Sequence, residues 1–203
     1  MNAHWWNLPS LLTPAECDRV IRHALTRYQP QPGVIGHGGG TRADPMRRSI
    51  VRWLDFADLD LLWLYRRIES KILQANAEGF GYQLQHSFSP DIQFTEYHGS
   101  DEGHYDWHTD NASTMRAPFD RKLSFVLQLS SRTPQPGGLM RRARPGYTGG
   151  EFELDPNADP LPPGAYTDAG DALIFRSSLK HRVKPVTSGT RYTLVTWIKG
   201  PRS

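Results

Sequence analysis

The sequence predicts an α+β chain, mainly β: a double-stranded β-helix (a jelly roll, cupin-like) with N-terminal helices packed on one of its sheets. Three observations predict it. Two segments before residue 80 repeat their apolar residues with a helical period, the chain after Gly81 runs mostly with a period of two, and turn residues cut that second part into short runs. A length of 203 residues suits one domain, 1–203, with a helical support region over 1–80 and the jelly-roll core over 81–203.

The first helix is signalled by "LLTPAECDRVIRHAL". Thr13 stands where an N-cap belongs, Pro14 takes the first helical position and Glu16 completes a capping box, with Cys17, Val20, Ile21, Ala24 and Leu25 as the apolar stripe. The Gly/Pro-rich passage Gln29 to Pro45 cannot sustain regular structure and is expected as a surface loop that could act as a lid. In "DLDLLWLYRRIESKILQANAEG" the residues Leu61, Leu64, Tyr65, Ile68 and Ile72 share one face of a second helix. After it, "YQLQHSF", "DIQFTEY", "RKLSFVLQLS", "GGEFEL", "DALIFRS", "HRVKPV" and "RYTLVTWIK" are β-type runs. A second irregular stretch, Arg132 to Tyr147, carries Arg141, Arg142 and Arg144 and is expected as a long loop at a barrel mouth and, like the first, as a lid.

Composition narrows the function classes. A single cysteine, Cys17, rules out an internal disulfide, the start "MNAHWWNLPS" lacks the pattern of a signal peptide, and no apolar run reaches membrane-spanning length, so a cytoplasmic protein without a membrane partner is expected. The net charge of +3 is spread along the chain without a basic block, which argues against nucleic acid as a partner. Nothing in the sequence sets the oligomeric state.

The chemistry concentrates in "GHYDWHTDN", which holds His-x-Asp twice, as His104-Tyr105-Asp106 and as His108-Thr109-Asp110. Residues two apart in a strand point to one side, so such a pair can offer both tips to one ion. Asp106 sits inside an aromatic run, whereas Asp110 precedes the polar stretch "NASTMRAPFD" where the strand ends, so His108 and Asp110 are the better-placed pair. His181 opens a later β-type run and can supply a third ligand. Two imidazoles and a carboxylate on one face of an octahedron leave three adjacent positions open, the arrangement of non-haem Fe(II) oxygenases. Arg191 lies ten residues after His181 and has Thr193 two positions on, so one strand face offers a guanidinium and a hydroxyl to a carboxylate.

Taken together, "LLTPAECDRVI", "IQFTEYHGSDEGHYDWHTD", "RKLSFVLQLS", "GGEFEL", "AGDALIF" and "HRVKPVTSGTRYTLVTWIKGP" resemble the prolyl-4-hydroxylase-like branch of the Fe(II)/2-oxoglutarate-dependent dioxygenases. The resemblance implies a hydroxylase that uses Fe(II), 2-oxoglutarate and O2, with ascorbate as a candidate reductant, and that releases succinate and CO2. It implies His108, Asp110 and His181 as iron ligands and catalytic residues, and Arg191 as the clamp for the far carboxylate of 2-oxoglutarate. Tyr97, Gln128, Thr193 and Trp197 are the further candidate cosubstrate contacts. The family pattern sets an aromatic residue three before the metal histidine, which Tyr105 satisfies for His108 and Asp101 fails for His104. Tyr105 is also a candidate substrate contact, as is Arg176, which stands where an uncharged residue is the rule and is expected at the site entrance. A carboxylate at Asp110 fills the position that halogenating relatives leave open, so hydroxylation is expected of an unactivated C–H bond in an amino acid, a peptidyl residue or a small metabolite. Two alternatives remain at this stage: a non-catalytic metal-binding jelly roll, and an oxidative nucleic-acid demethylase.

Overall fold

The computed structural model of the chain describes residues 3–33, 45–85, 92–111, 118–132, 146–155, 157 and 160–202. In chain order the elements are β1 (Trp5–Leu8), α1 (Pro14–Arg27), β2 (Gln31–Pro32), β3 (Arg47–Arg48), β4 (Ile50–Leu54), α2 (Leu62–Ala75), β5 (Ile92–His98), β6 (His104–His108), β7 (Phe119–Gln128), β8 (Thr148–Gly149), β9 (Phe152–Leu154), β10 (Ala172–Arg176), β11 (His181–Val183), β12 (Val186–Ser188) and β13 (Thr190–Pro201).

Helix α1 starts as its sequence dictates. The Glu16 amide donates to the Thr13 hydroxyl and the Thr13 amide donates to the Glu16 carboxylate, so two otherwise orphaned donors are satisfied. Its buried face is Cys17, Val20, Ile21 and Ala24, while Leu25, expected on that stripe, is largely exposed because it lies at the stripe's edge. A short tight turn over Leu59–Leu61 leads into α2, whose expected face of Leu64, Tyr65, Ile68 and Ile72 is buried together with Leu61. The helix ends in one wide turn, in which the Gly81 amide reaches back to the Asn76 carbonyl at 2.8 Å with Gly81 at φ 69°, a conformation glycine adopts without strain. An ion pair between Arg67 and Glu16 at 2.8 Å ties the two helices together.

Two sheets face each other. The larger is β1-β10-β7-β13-β5-β4-β2 and the smaller is β3-β6-β11-β9, with β8 and β12 paired beside it, and all pairings are antiparallel. The segment 1–80 therefore supplies more than helices: β1, β2 and β4 extend both ends of the larger sheet, and β3 edges the smaller one. Residues 82–85 of the expected run "YQLQHSF" join no strand, although the Gln85 amide donates to the Lys199 carbonyl at 2.8 Å; the rest of that run lies outside the described residues. So does most of both Gly/Pro-rich segments, including Arg141, Arg142 and Arg144.

Strand alternation divides the larger sheet into two faces. Ile92 and Phe94 of β5, Leu123, Phe125 and Leu127 of β7, Ala172 and Ile174 of β10, and Leu194 and Ile198 of β13 pack with α1 and α2 in one apolar core. Their neighbours in sequence point the other way, into the space between the sheets.

Candidate functional site

Four strands deliver side chains to that inter-sheet space. β5 presents Gln93, Thr95 and Tyr97, β7 presents Ser124, Val126 and Gln128, β10 presents Leu173 and Phe175, and β13 presents Arg191, Thr193, Val195 and Trp197. Closing the chamber opposite them is the smaller sheet, which brings His108 of β6 directly across from His181 of β11.

One irregularity decides which histidine faces inward. On β11 one residue lies between His181 and Val183, while on β6 two lie between their partners His108 and Tyr105, so β6 carries one extra residue. Alternation alone would place His104, Asp106, His108 and Asp110 on a single face. The bulge resets it. The Tyr105 ring stacks on the His108 imidazole with centroids 3.5 Å apart, whereas the His104 ring nitrogens meet the carbonyls of Glu102 and Pro45, and Asp106 is exposed and accepts from the Trp107 amide.

His108, Asp110 and His181 come together. His108 Nε2 lies 3.7 Å from Asp110 Oδ1 and His181 Nε2 lies 3.5 Å from Asp110 Oδ2, and one donor atom from each residue falls within 4.8 Å of the other two. These gaps are too long for good hydrogen bonds and suit three groups around a shared ion. Each imidazole is also oriented: His108 Nδ1 donates to the Asp106 carbonyl at 2.7 Å and His181 Nδ1 to the Leu179 carbonyl at 2.9 Å. A carbonyl can only accept, so the ring proton sits on Nδ1 and both Nε2 lone pairs turn to the centre. Phe175 packs edge-on against His181 at 4.7 Å. Asp110 is held by the Ser124 hydroxyl, which donates to Oδ2 at 2.7 Å and is itself 3.0 Å from the Ser177 hydroxyl, while the Asp110 amide donates to the Ser177 carbonyl.

The electrostatics match that role. Burial, followed by the neighbouring His181, pushes the His108 pKa down to about 4 against the pull of Asp110, so His108 is neutral near pH 7. Burial would raise the Asp110 pKa, but the adjoining His181 and His108 and the Ser124 hydroxyl hold it below its ordinary value, and Asp110 stays ionised.

Arg191 stands farther along the same strand face as Trp197. It is 2% exposed, its Nε finds no hydrogen-bond partner, and among the described residues no carboxylate pairs with it. Tyr97 and Tyr166 offer their rings to its guanidinium carbon at 5.6 and 5.9 Å, and Tyr147 lies against it as well. Phenols are uncharged at neutral pH, so this cage supplies dipoles and ring faces but no counter-charge. Gln128 is fully buried, donates to the Tyr147 hydroxyl at 2.6 Å and leaves its own Oε1 unbonded. Thr193 is buried between Thr95 and Gln128 on the neighbouring strands, and Trp197, paired with Ser124, lies beside the Asp110 carboxylate. All the expected cosubstrate residues thus line one chamber with the three expected ligands.

Arg176 does not. It falls on the helix side of β10, in step with Ala172 and Ile174, and its guanidinium donates to the Ala3 carbonyl and the Tyr82 hydroxyl. It anchors the N-terminal segment, so its expected place at the site entrance is corrected. Conversely, the sequence reading passed over Ser124, Tyr147, Tyr166, Arg47 and Arg121. Ser124 was within reach, since it sits four residues before Gln128 and shares its face. Tyr147 and Tyr166 enter from irregular backbone, Tyr166 at φ 57°, where no periodicity points to them.

The described residues contain a second cluster of metal-binding side-chain types, His23, Asp58 and Asp60. There Asp58 Oδ2 already accepts from His23 and from the Tyr28 hydroxyl, both at 2.7 Å, and the group fastens α1 to the turn before α2.

Comparison with known proteins agrees with this geometry. The profile of the 2OG-Fe(II) oxygenase superfamily matches residues 92–199. A PKHD-type hydroxylase from Synechococcus sp. (strain CC9311) is 37% identical over 98 residues, covering 48% of this chain and 37% of that protein. Another from Colwellia psychrerythraea is 43% identical over 53 residues, covering 26% and 23%. The chain thus spans between about a quarter and two fifths of the length of the curated relatives it matches. Among solved structures, the viral collagen prolyl hydroxylase of Paramecium Bursaria Chlorella virus-1, in its 2OG complex, superposes with a TM-score of 0.67 at 18% identity over 98% of this chain and 97% of that one. A prolyl-4-hydroxylase from Pseudomonas putida gives 0.64 at 18% identity over 98% and 94%.

Proposed function

The chain belongs to the 2OG-Fe(II) oxygenase superfamily, and on that premise we propose that it is an Fe(II)- and 2-oxoglutarate-dependent hydroxylase of an unactivated C–H bond. The observation that carries this reading beyond family membership is Arg191, a wholly buried cation with no counter-ion among the described residues, on the sheet face opposite the one that bears His108 and His181. Burying an unpaired charge is costly, and a metal site kept only for structure would have no use for it. A dicarboxylate cosubstrate resolves the imbalance, with one end directed to the metal ligands and the other to Arg191, Tyr147 and Tyr166.

His108, Asp110 and His181 would hold the iron, and Tyr97, Gln128, Thr193 and Trp197 would line the cosubstrate. Bound there, iron and 2-oxoglutarate supply the electrons that activate O2 for hydroxylation, with succinate and CO2 released. The chain's own share is positional. Hydrogen bonds to backbone carbonyls fix the imidazole tautomers, the Ser177–Ser124 relay orients the Asp110 carboxylate, and the rings of Phe175 and Phe152 shield His181 from water. The test is a titration of 2-oxoglutarate into the anaerobic Fe(II) protein, read as charge-transfer absorbance, followed by succinate release on admitting O2. Absence of both would overturn the reading.

A further inference from the structure

Two more guanidinium groups stand around Tyr105, and among the described residues neither forms an ion pair with a carboxylate. Arg47 of β3 is 8% exposed, its Nε donates to the Ser49 hydroxyl at 2.8 Å, and its Nη2 is buried with no hydrogen-bond partner. Its guanidinium carbon lies 4.7 Å over the ring of Tyr105, the ring that stacks on His108. Gly33 gives it room: a Cβ there would come within 2.7 Å of Arg47 Nε and 2.2 Å of the Ser49 hydroxyl, so a larger residue would force one of these side chains to shift. Arg121 of β7 lies 3.8 Å over the Trp197 ring, and its charge is felt at both Asp110 and Tyr105. Beyond Trp197, with ring centroids 6.4 Å apart, is Trp53, 41% exposed and continuing the aromatic wall toward solvent.

The contrast with other arginines is informative. Arg52 pairs with Glu96, Arg67 with Glu16 and Arg182 with Glu153, whereas among the described residues neither Arg47 nor Arg121 meets a carboxylate. A buried guanidinium nitrogen with nothing to bind is expensive unless an anion arrives to meet it. The cosubstrate already has Arg191, which lies at the other end of the β13 face from Trp197.

We propose that the substrate is a small organic acid whose carboxylate is received by Arg47 and Arg121 while its apolar part lies along Tyr105, Trp197 and Trp53. The inference rests on the oxygenase reading and deepens it by naming the substrate class. Anchoring the acid end on these two cations sets how far along the substrate the attacked C–H bond lies, because Arg47 stands on the sheet that carries His108 and His181 and Arg121 on the sheet that faces it. A neutral, blocked peptide would leave the buried Arg47 Nη2 unmatched.

The test uses benzoate and its neutral isostere benzamide as probes, titrated calorimetrically into protein loaded anaerobically with Fe(II) and 2-oxoglutarate. Benzoate is expected to bind at least about tenfold more tightly than benzamide, as loss of a charge-assisted hydrogen bond implies. Arg47→Gln and Arg121→Gln should each erode that preference while keeping the 2-oxoglutarate absorbance, which shows that fold and cosubstrate pocket survive. The proposal is overturned if wild type shows no carboxylate preference, whether because benzamide binds equally or because neither probe binds. A preference that survives both substitutions, or a blocked neutral peptide that binds as tightly as benzoate, also overturns it. Loss of the absorbance in wild type would instead remove the oxygenase reading itself.

Discussion

Replacing Arg191 with methionine should move stability and cosubstrate affinity in opposite directions. In the folded chain this guanidinium is 2% exposed and has no counter-ion among the described residues, and keeping an ion out of water costs several kcal/mol even after relaxation. Its stacking on Tyr97 and Tyr166, at 5.6 and 5.9 Å, returns about 0.5–2 kcal/mol each. Methionine fills a similar volume with no charge to desolvate, so Arg191→Met should stabilise the ligand-free fold by about 1–3 kcal/mol. For a chain of this size each kcal/mol corresponds to roughly 2–4 °C in Tm. The same change deprives the far carboxylate of its cation, at a cost of about 2–5 kcal/mol, or roughly thirtyfold to several thousandfold in Kd. Thermal melts of both proteins, with Mn(II) alone and with Mn(II) plus 2-oxoglutarate, should therefore cross: the variant melts higher without cosubstrate, and only wild type gains on adding it. If the ligand-free variant melts well below wild type, Arg191 is a structural cation and the reasoning fails. An unshifted cosubstrate titration would refute it equally.

Three further outcomes follow from the site. His108→Ala and His181→Ala should abolish iron stoichiometry and succinate release, while His104→Ala, whose ring nitrogens face backbone carbonyls, should retain most of both; the reverse pattern would reassign the triad. Ser124→Ala removes the donor to the buried Asp110 carboxylate and should weaken metal binding by about 10- to 100-fold in an Fe(II) or Mn(II) titration while leaving the helix core intact. The pH dependence comes from His108, whose pKa is depressed from 6.5 to about 4 in the folded chain. Between those values the unfolded state binds the proton and the folded state does not, so the metal-free protein should lose up to about 3 kcal/mol as pH falls from about 6.5 to 4. Urea unfolding across that window should show the slope in wild type and a shallower one in His108→Gln.

Much of this architecture was legible in the residues, for reasons that also explain the gaps. Thr13, Pro14 and Glu16 specify the start of α1 through local hydrogen bonds, and the stripe through Leu64 and Ile72 specifies the buried face of α2, so both follow from short-range chemistry. The clustering of His108, Asp110 and His181 was legible because His108 ends β6, Asp110 follows that end and His181 begins β11. The reason His108 outranks His104 was not, since a one-residue bulge depends on pairing with β11, a distant segment. Arg176 shows the opposite failure. Its alternation with Ala172 and Ile174 already placed it on the helix side, and only its departure from the uncharged residue of the family pattern suggested a site role. Tyr147 and Tyr166 stayed hidden because their direction is set by turns, whose geometry leaves no repeat to read.

β13 and its neighbours are a party wall, with one room on each side. Leu194 and Ile198 are bricks of the helix-side room, and Arg191, Thr193, Val195 and Trp197 are the furniture of the other, yet they alternate along one backbone. Two messages are thus written in interleaved letters: the even positions of this strand spell how the molecule holds together, and the odd positions spell what it accommodates. Substitution at the odd positions can refit the chamber for a different guest without disturbing a contact made by α1 or α2. The letters nevertheless share their spacing, so a residue inserted or lost upstream in the strand would exchange the messages, turning the guanidinium toward the helices and a leucine toward His108 and His181.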